Sequence, residues 1–310
     1  VSDIVDLAVR MQAGVWASPM SSRCSFPEDH ALFQGFLDPE ERSVAAALRQ
    51  YDLVVVIGAP VFTYHVFRGV AEDELPPLFL VSDDPDVLAR ARHGVGIRSA
   101  VGPAVQQLAE LVASVDRVPP SVRVRPEVPA GLSPGGVFTA LTELLPDNAI
   151  VVEEAPSHRG WIHDHLPIRS RHTGFLTMAS GTLGWALPAA VGAALARPDR
   201  RIVAVLGDGS SMYGIQALWT AAQENLPVTF VVLDNSQYAA LRILADVDGA
   251  KVPGIELGGI DFAGLATSLG CVGRLVESIA DFRDALALSL VDDRPTLLHV
   301  PVVETARTLY

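Results

Sequence analysis

The chain has 310 residues, 49% hydrophobic and 19% charged, with a net charge of −13. That length suggests about two domains, and the apolar content excludes disorder over most of the chain. The acidic balance is opposite to what a phosphate-gripping nucleic-acid binder needs, so an anionic ligand here requires local donors or a metal ion.

The chain opens Val1-Ser2-Asp3, with no initiator Met and no basic-then-apolar leader, and reads as a piece of a longer polypeptide. Apolar runs at 53–57, 77–81, 149–152, 202–206, 228–233 and 296–300 lack period-two alternation, which predicts strands covered on both faces. Between them, helix-length patterns lie at 43–49, 103–112, 134–145, 215–224 and 281–290. This alternation predicts an α/β fold of two doubly wound parallel-sheet domains with right-handed crossovers. A Pro-rich, charged stretch predicts a linker over 119–133, between an α/β domain at 1–118 and a second domain at 134–310. The uncharged stretch 173–196 is long enough to cross a bilayer, but its glycines and Pro188 favour a buried strand, a turn and a buried helix. Cys24 and Cys271 lie far apart without metal-ligand spacing and suit a reducing cytoplasm. His163 and His165 are two apart, do not share a helix face, and read as a solvated helix end rather than a metal site.

The chemistry concentrates between 201 and 238. A buried strand ends at Leu206, and Gly207-Asp208-Gly209 makes a tight turn whose glycines let a ligand approach the backbone. A helix predicted after Ser210 turns its N-terminus toward that turn, as an anion site does. The next strand runs to Asn235, 27 positions beyond Asp208. A strand–helix–strand unit returns the chain in parallel, so Asp208 and Asn235 fall at the carboxyl edge of the sheet, where ligands bind. A carboxylate, an amide oxygen and carbonyls compose a typical Mg²⁺ shell. Gly-Asp-Gly alone is also an ordinary turn; the flanking strands and the Asn raise it above that.

This pattern resembles the diphosphate-and-magnesium motif of thiamine diphosphate enzymes. The resemblance implies thiamine diphosphate and Mg²⁺ as cofactors, with Asp208, Asn235 and the Gln237 carbonyl as metal ligands. It implies that Gly207, Gly209, Ser210 and Tyr238 belong to the cofactor site. Residues 179–190, ASGTLGWALPAA, resemble the segment that cradles the cofactor's middle. By that match Gly181 offers its carbonyl to the 4′-amino group and Leu183 is the apolar wedge. Residues 154–158, EAPSH, match the domain's first loop, from which Ser157 and His158 reach the diphosphate; Glu154 also reads as a cap of the helix that follows. Residues 23–35, 55–65, 235–242, 253–255 and 261–262 extend the resemblance, most closely to the benzoylformate decarboxylase family.

The family implies non-oxidative decarboxylation of a small 2-oxo acid, a homo-oligomer (dimer or tetramer), a cytoplasmic location, and no nucleic-acid or membrane partner. It also implies an upstream pyrimidine-binding domain that this chain lacks. A family histidine is replaced by Ser133, which then lines the substrate pocket with Ala240 and Leu241, or serves only as an N-cap ahead of Pro134. The central domain is expected to hold no nucleotide. The alternatives are a carboligase of the same superfamily, acetolactate synthase-like, or a non-catalytic module that needs a partner domain.

Overall fold

The computed structural model describes residues 1–19, 24–38, 41–59, 75–168, 174–178 and 181–303. Of the segments that carry the resemblance, residues 23, 60–65 and 179–180 lie outside these. The chain forms two compact units, 1–21 with 25–124, and 125–309 with 22–24.

The first unit contains α1 (Ser2–Met11), β1 (Val15–Ala17), β2 (Phe33–Phe36), α2 (Glu41–Leu48), β3 (Val54–Ile57), β4 (Leu78–Ser82), α3 (Pro85–Arg90), β5 (Val95–Arg98) and α4 (Val101–Leu111). Among the described residues its strands form two separate parallel sheets, β1-β2 and β3-β4-β5. Residues 112–129 run without helix or strand.

The second unit contains α5 (Pro134–Leu144), β6 (Ile150–Glu154), α6 (Arg159–His165), β7 (Phe175–Thr177), α7 (Ala186–Ala196), β8 (Ile202–Gly207), α8 (Asp208–Ser211), α9 (Ala217–Gln223), β9 (Val228–Asp234), α10 (Ala239–Asp248), α11 (Phe262–Ser268), β10 (Val272–Leu275), α12 (Ile279–Ser289) and β11 (Thr296–Pro301). One six-stranded sheet runs β7-β6-β8-β9-β11-β10, parallel throughout. Alternate side chains of a strand point to opposite faces. Val203 and Val205 therefore join Phe138, Ile162 and Phe282 on one side, while Ile202, Ala204 and Leu206 join Leu187, Leu218 and Phe262 on the other. Helices thus cover both faces, which is why β8 and β9 are apolar at nearly every position.

The uncharged stretch resolves, where described, into β7, a turn at 181–185 and α7. Among the described residues no helix is long and apolar enough to cross a membrane. One expectation is corrected: His163 and Asp164 are not a solvated helix end. Both are buried, and the His163 ring stands edge-on to Phe175. α6 lies flush against α5, so its last turn faces the core; a two-residue spacing read alone does not reveal that packing.

Candidate functional site

β8 and β9 are neighbours, and Gly207 pairs with Leu233. Asp208 and Asp234 therefore stand side by side where the two strands end, and Asn235 follows. The Asp208 carboxylate is buried and folds back on the loop. Its Oδ1 accepts the Gly209 N–H (2.7 Å) and its Oδ2 accepts the Gln237 N–H (3.1 Å). Asp234 sits at the end of β9 and holds the turn beyond it: its Oδ1 accepts the Ser236 N–H (2.8 Å) and lies 3.2 Å from the Ser236 hydroxyl. That turn puts Ser236 in the left-handed region at φ 59°. The loop is then tied down by Tyr238 N–H to the Ile255 carbonyl and Leu257 N–H to the Ser236 carbonyl, both 2.8 Å.

Three oxygens converge here. The Asn235 side-chain oxygen faces the Gln237 carbonyl oxygen at 2.8 Å and Asp208 Oδ2 at 3.3 Å. Turned over, the same amide would donate its nitrogen to both. With the oxygen inward it accepts the Gln237 N–H (3.3 Å) and stands beside two further acceptor oxygens, a group that a cation would join and that the turned amide satisfies without one. The charges agree. Burial and the neighbouring Asp234 carboxylate push Asp208 up to about 7. Burial also acts to raise Asp234, but the imidazole of His299, 2.8 Å away, and the Ser236 N–H outweigh it and hold Asp234 below the ordinary carboxylate value. Two adjacent carboxylates, one ionised and one driven toward protonation, form a site that gains from a positive charge.

Two sequence expectations change. The helix after the turn does not begin beyond Ser210 and run on. α8 starts at Asp208 and lasts four residues, and α9 begins only at Ala217. The break falls where Gly214 meets the Gly184 backbone, a Cβ on Gly214 coming 3.1 Å from the Gly184 oxygen. One helical turn carries little macrodipole, so any anion contact here rests on individual N–H groups. The Gly209 N–H already points to Asp208. Nor does Gly209 open the backbone to a ligand: the Tyr238 ring and Leu257 occupy the space a Cβ would need.

The first loop leaves β6 at Glu154. Ala155 leads into a single 3₁₀ turn, Pro156–His158. Ser157 is half-buried, but the His158 ring is buried, and burial lowers its pKa to about 4 despite the nearby Glu153 charge. At neutral pH it offers a neutral imidazole, not a cation. Glu154 does not cap the following helix. Its carboxylate crosses to α7 and accepts the N–H groups of Gly184 (2.5 Å), Trp185 (2.7 Å) and Ala186 (2.6 Å). Gly181 (φ 77°) is exposed and Leu183 half-exposed in the turn ahead of α7.

Ala240 and Leu241 lie in the first turn of α10, directly after the Asn235–Tyr238 loop, with Leu241 47% exposed. Ser133 is the N-cap of α5. Its hydroxyl accepts from the Gly136 N–H (3.3 Å) and donates to the Pro129 carbonyl (3.0 Å), the bonds of a helix cap, and the residue is 2% exposed. Asp234 and His299 were not singled out in the sequence. A lone histidine inside the apolar run 296–300 was the available signal.

Residues 154–300 match the C-terminal TPP binding domain of thiamine pyrophosphate enzymes. Over that range the chain carries the TPP binding domain of thiamine diphosphate enzymes. Its relatives within that superfamily include a benzoylformate decarboxylase of Pseudomonas aeruginosa, 37% identical over 96% of this chain and 57% of the relative. Among solved structures, the thiamine diphosphate-dependent 4-hydroxybenzoylformate decarboxylase of Rhodococcus jostii RHA1 superposes with a TM-score of 0.90 at 39% identity, covering 97% of this chain and 58% of that one. Benzoylformate decarboxylase from Polynucleobacter necessarius superposes at 0.92 with 33% identity, covering 99% and 59%. The chain therefore spans under three fifths of the length of these thiamine diphosphate enzymes.

Proposed function

We propose that this protein acts in thiamine diphosphate- and Mg²⁺-dependent, non-oxidative decarboxylation of a 2-oxo acid, as a homo-oligomer in the cytoplasm. The observation that carries the reading is the convergence of Asp208, the Asn235 amide and the Gln237 carbonyl at the ends of two neighbouring strands. Mg²⁺ binds oxygens at about 2.0–2.1 Å in an octahedron, which sets adjacent ligand oxygens about 3 Å apart. With the Asn235 oxygen turned inward, its 2.8 and 3.3 Å separations from the Gln237 carbonyl and Asp208 Oδ2 would suit that spacing. These residues would hold the ion, and the ion would neutralise the diphosphate against a carboxylate-lined loop. When bound, thiamine diphosphate supplies the electron sink for loss of CO₂ from the 2-oxo acid.

The chain's own part is binding and orientation. Asp208, Asn235 and Gln237 would fix the polar end, and Ser157 and Ser210 would offer it hydroxyl and backbone donors. The Gly181 carbonyl and the Leu183 side chain set the cofactor's middle, and Tyr238 backs the Gly209 turn. Ala240 and Leu241 offer an apolar rim for the acid's side chain.

The test is calorimetric titration with thiamine diphosphate plus Mg²⁺, in the wild type and in Asp208→Ala. Binding is expected in the first and absent in the second; equal binding by both would overturn the assignment. Across a panel of 2-oxo acids, CO₂ release without C–C bond formation is the expected outcome, and carboligation as the main product would replace decarboxylation with synthase chemistry.

A further inference from the structure

The cap on α7 is imported. The local N-cap, Trp185, supplies no side-chain hydrogen bond, yet three N–H groups at the helix start are satisfied by Glu154, which precedes them by some thirty residues. A serine or aspartate in the turn would satisfy such groups equally well. It would not tie the turn to the sheet, as a carboxylate on β6 does.

The neighbouring residue grips the other end of the same stretch. Glu153 is fully buried, and its Oε2 accepts from the Thr177 hydroxyl (2.6 Å) and from Arg159 (3.1 Å), while Arg159 also reaches the Thr177 hydroxyl oxygen (2.7 Å). Its Oε1 accepts the Ala155 N–H (2.7 Å) at the start of the first loop. Consecutive strand residues point to opposite faces, so the two carboxylates seize the chain from the two sides of the sheet. Between Thr177 and Gly184 lie Gly181 and Leu183. Gly184 is further fixed by close approach: at φ 93°, any Cβ would stand 2.8 Å from that of Tyr213.

We propose that Glu154 is a positioning residue of the cofactor site, with Glu153 its counterpart at Thr177. Together they set where the Gly181 carbonyl and Leu183 stand relative to the diphosphate loop. This rests on the thiamine diphosphate reading above.

The test uses the intact protein and Glu154→Gln, which keeps the length but turns one acceptor into an amide donor that faces N–H groups. Three quantities are measured: hydrogen exchange of the 181–186 amides without ligand, affinity for thiamine diphosphate with Mg²⁺, and affinity for inorganic pyrophosphate with Mg²⁺. Loss of a charged hydrogen bond predicts amides 184–186 exchanging about tenfold faster and thiamine diphosphate binding about tenfold weaker. Pyrophosphate affinity should stay unchanged, because that probe reaches only the polar end; a merely structural role would weaken both. Glu154→Asp should recover part of the loss. Unchanged exchange and unchanged cofactor affinity, or equal weakening of both probes, overturns the proposal. Failure of the underlying reading looks different: the wild type itself then binds neither probe, and both ideas fall together. Should Glu154→Gln not fold, Thr177→Val releases the far grip at constant size, and it should likewise weaken thiamine diphosphate binding while leaving pyrophosphate affinity unchanged; equal weakening of both probes, or no weakening, overturns the proposal.

Discussion

Replacing Arg159 by methionine keeps most of the side-chain volume and removes the guanidinium that pairs with Glu153 at 3.1 Å. Glu153 is 0% exposed, so the variant buries a carboxylate without its counter-ion. Breaking one side of a buried pair costs about 3–5 kcal/mol. Two hydrogen bonds to Glu153 survive, from Ala155 and Thr177, which places the expected loss at the lower end, about 3 kcal/mol at pH 7. The pH dependence follows from the signs. In the wild type burial acts to raise the Glu153 pKa, but the Arg159 charge and the hydrogen bonds from Thr177, Ala155 and Arg159 outweigh it and hold it below the ordinary value. Its contribution is then present above the unfolded pKa and fades only as pH falls through the folded one. Without Arg159, burial dominates and the pKa rises, so the variant accepts a proton at mildly acidic pH and part of its deficit disappears. Urea unfolding followed by the fluorescence of Trp161, Trp185 and Trp219, at pH 7 and pH 5, measures both effects. Adding Glu153→Gln to the variant should recover stability. A variant as stable as the wild type at pH 7, or one whose deficit grows on acidification, would refute the buried-pair argument.

Two further outcomes are expected. Ser133→Ala removes the α5 cap and should lower stability by about 1 kcal/mol in urea unfolding, with cofactor affinity unchanged; a change in 2-oxo acid preference instead would return Ser133 to the substrate pocket. His158 has a folded pKa near 4 against an ordinary value of 6.5, so the unfolded chain binds the extra proton between those limits. Stability should therefore fall as pH drops from 6.5 toward 4, by up to about 3 kcal/mol for this group. His158→Gln should flatten that part of the stability–pH curve, and an unchanged slope would show that the ring is not the buried base described above.

The strands of the second unit were legible because their residues are covered from both sides, and apolar runs at 202–206 and 228–233 carry that mark plainly. β10 was not. It is an edge strand containing Gly273 and Arg274, half-covered, and its composition says little about pairing. Asp208 and Asn235 could be placed together because strand–helix–strand connectivity alone brings successive parallel strand ends to one edge. Glu154 could not be assigned its partner, since nothing in local sequence links a carboxylate to amides thirty residues away; the nearer helix was the natural reading, and the fold chose the farther one. Gly209 shows the same limit. Its smallness is visible in sequence, but whether a ligand or a tyrosine ring uses the room is decided by where the 235–238 loop folds.

The six-stranded sheet gives the two ends of the site unequal footing. β8 and β9 are paired on both edges and run six and seven residues, whereas β7 is an outermost strand of three. Local opening draws on the elements with fewest buried contacts. Fraying would thus begin on the flank bearing Gly181 and Leu183 while the oxygen cluster at 208 and 235 stayed intact.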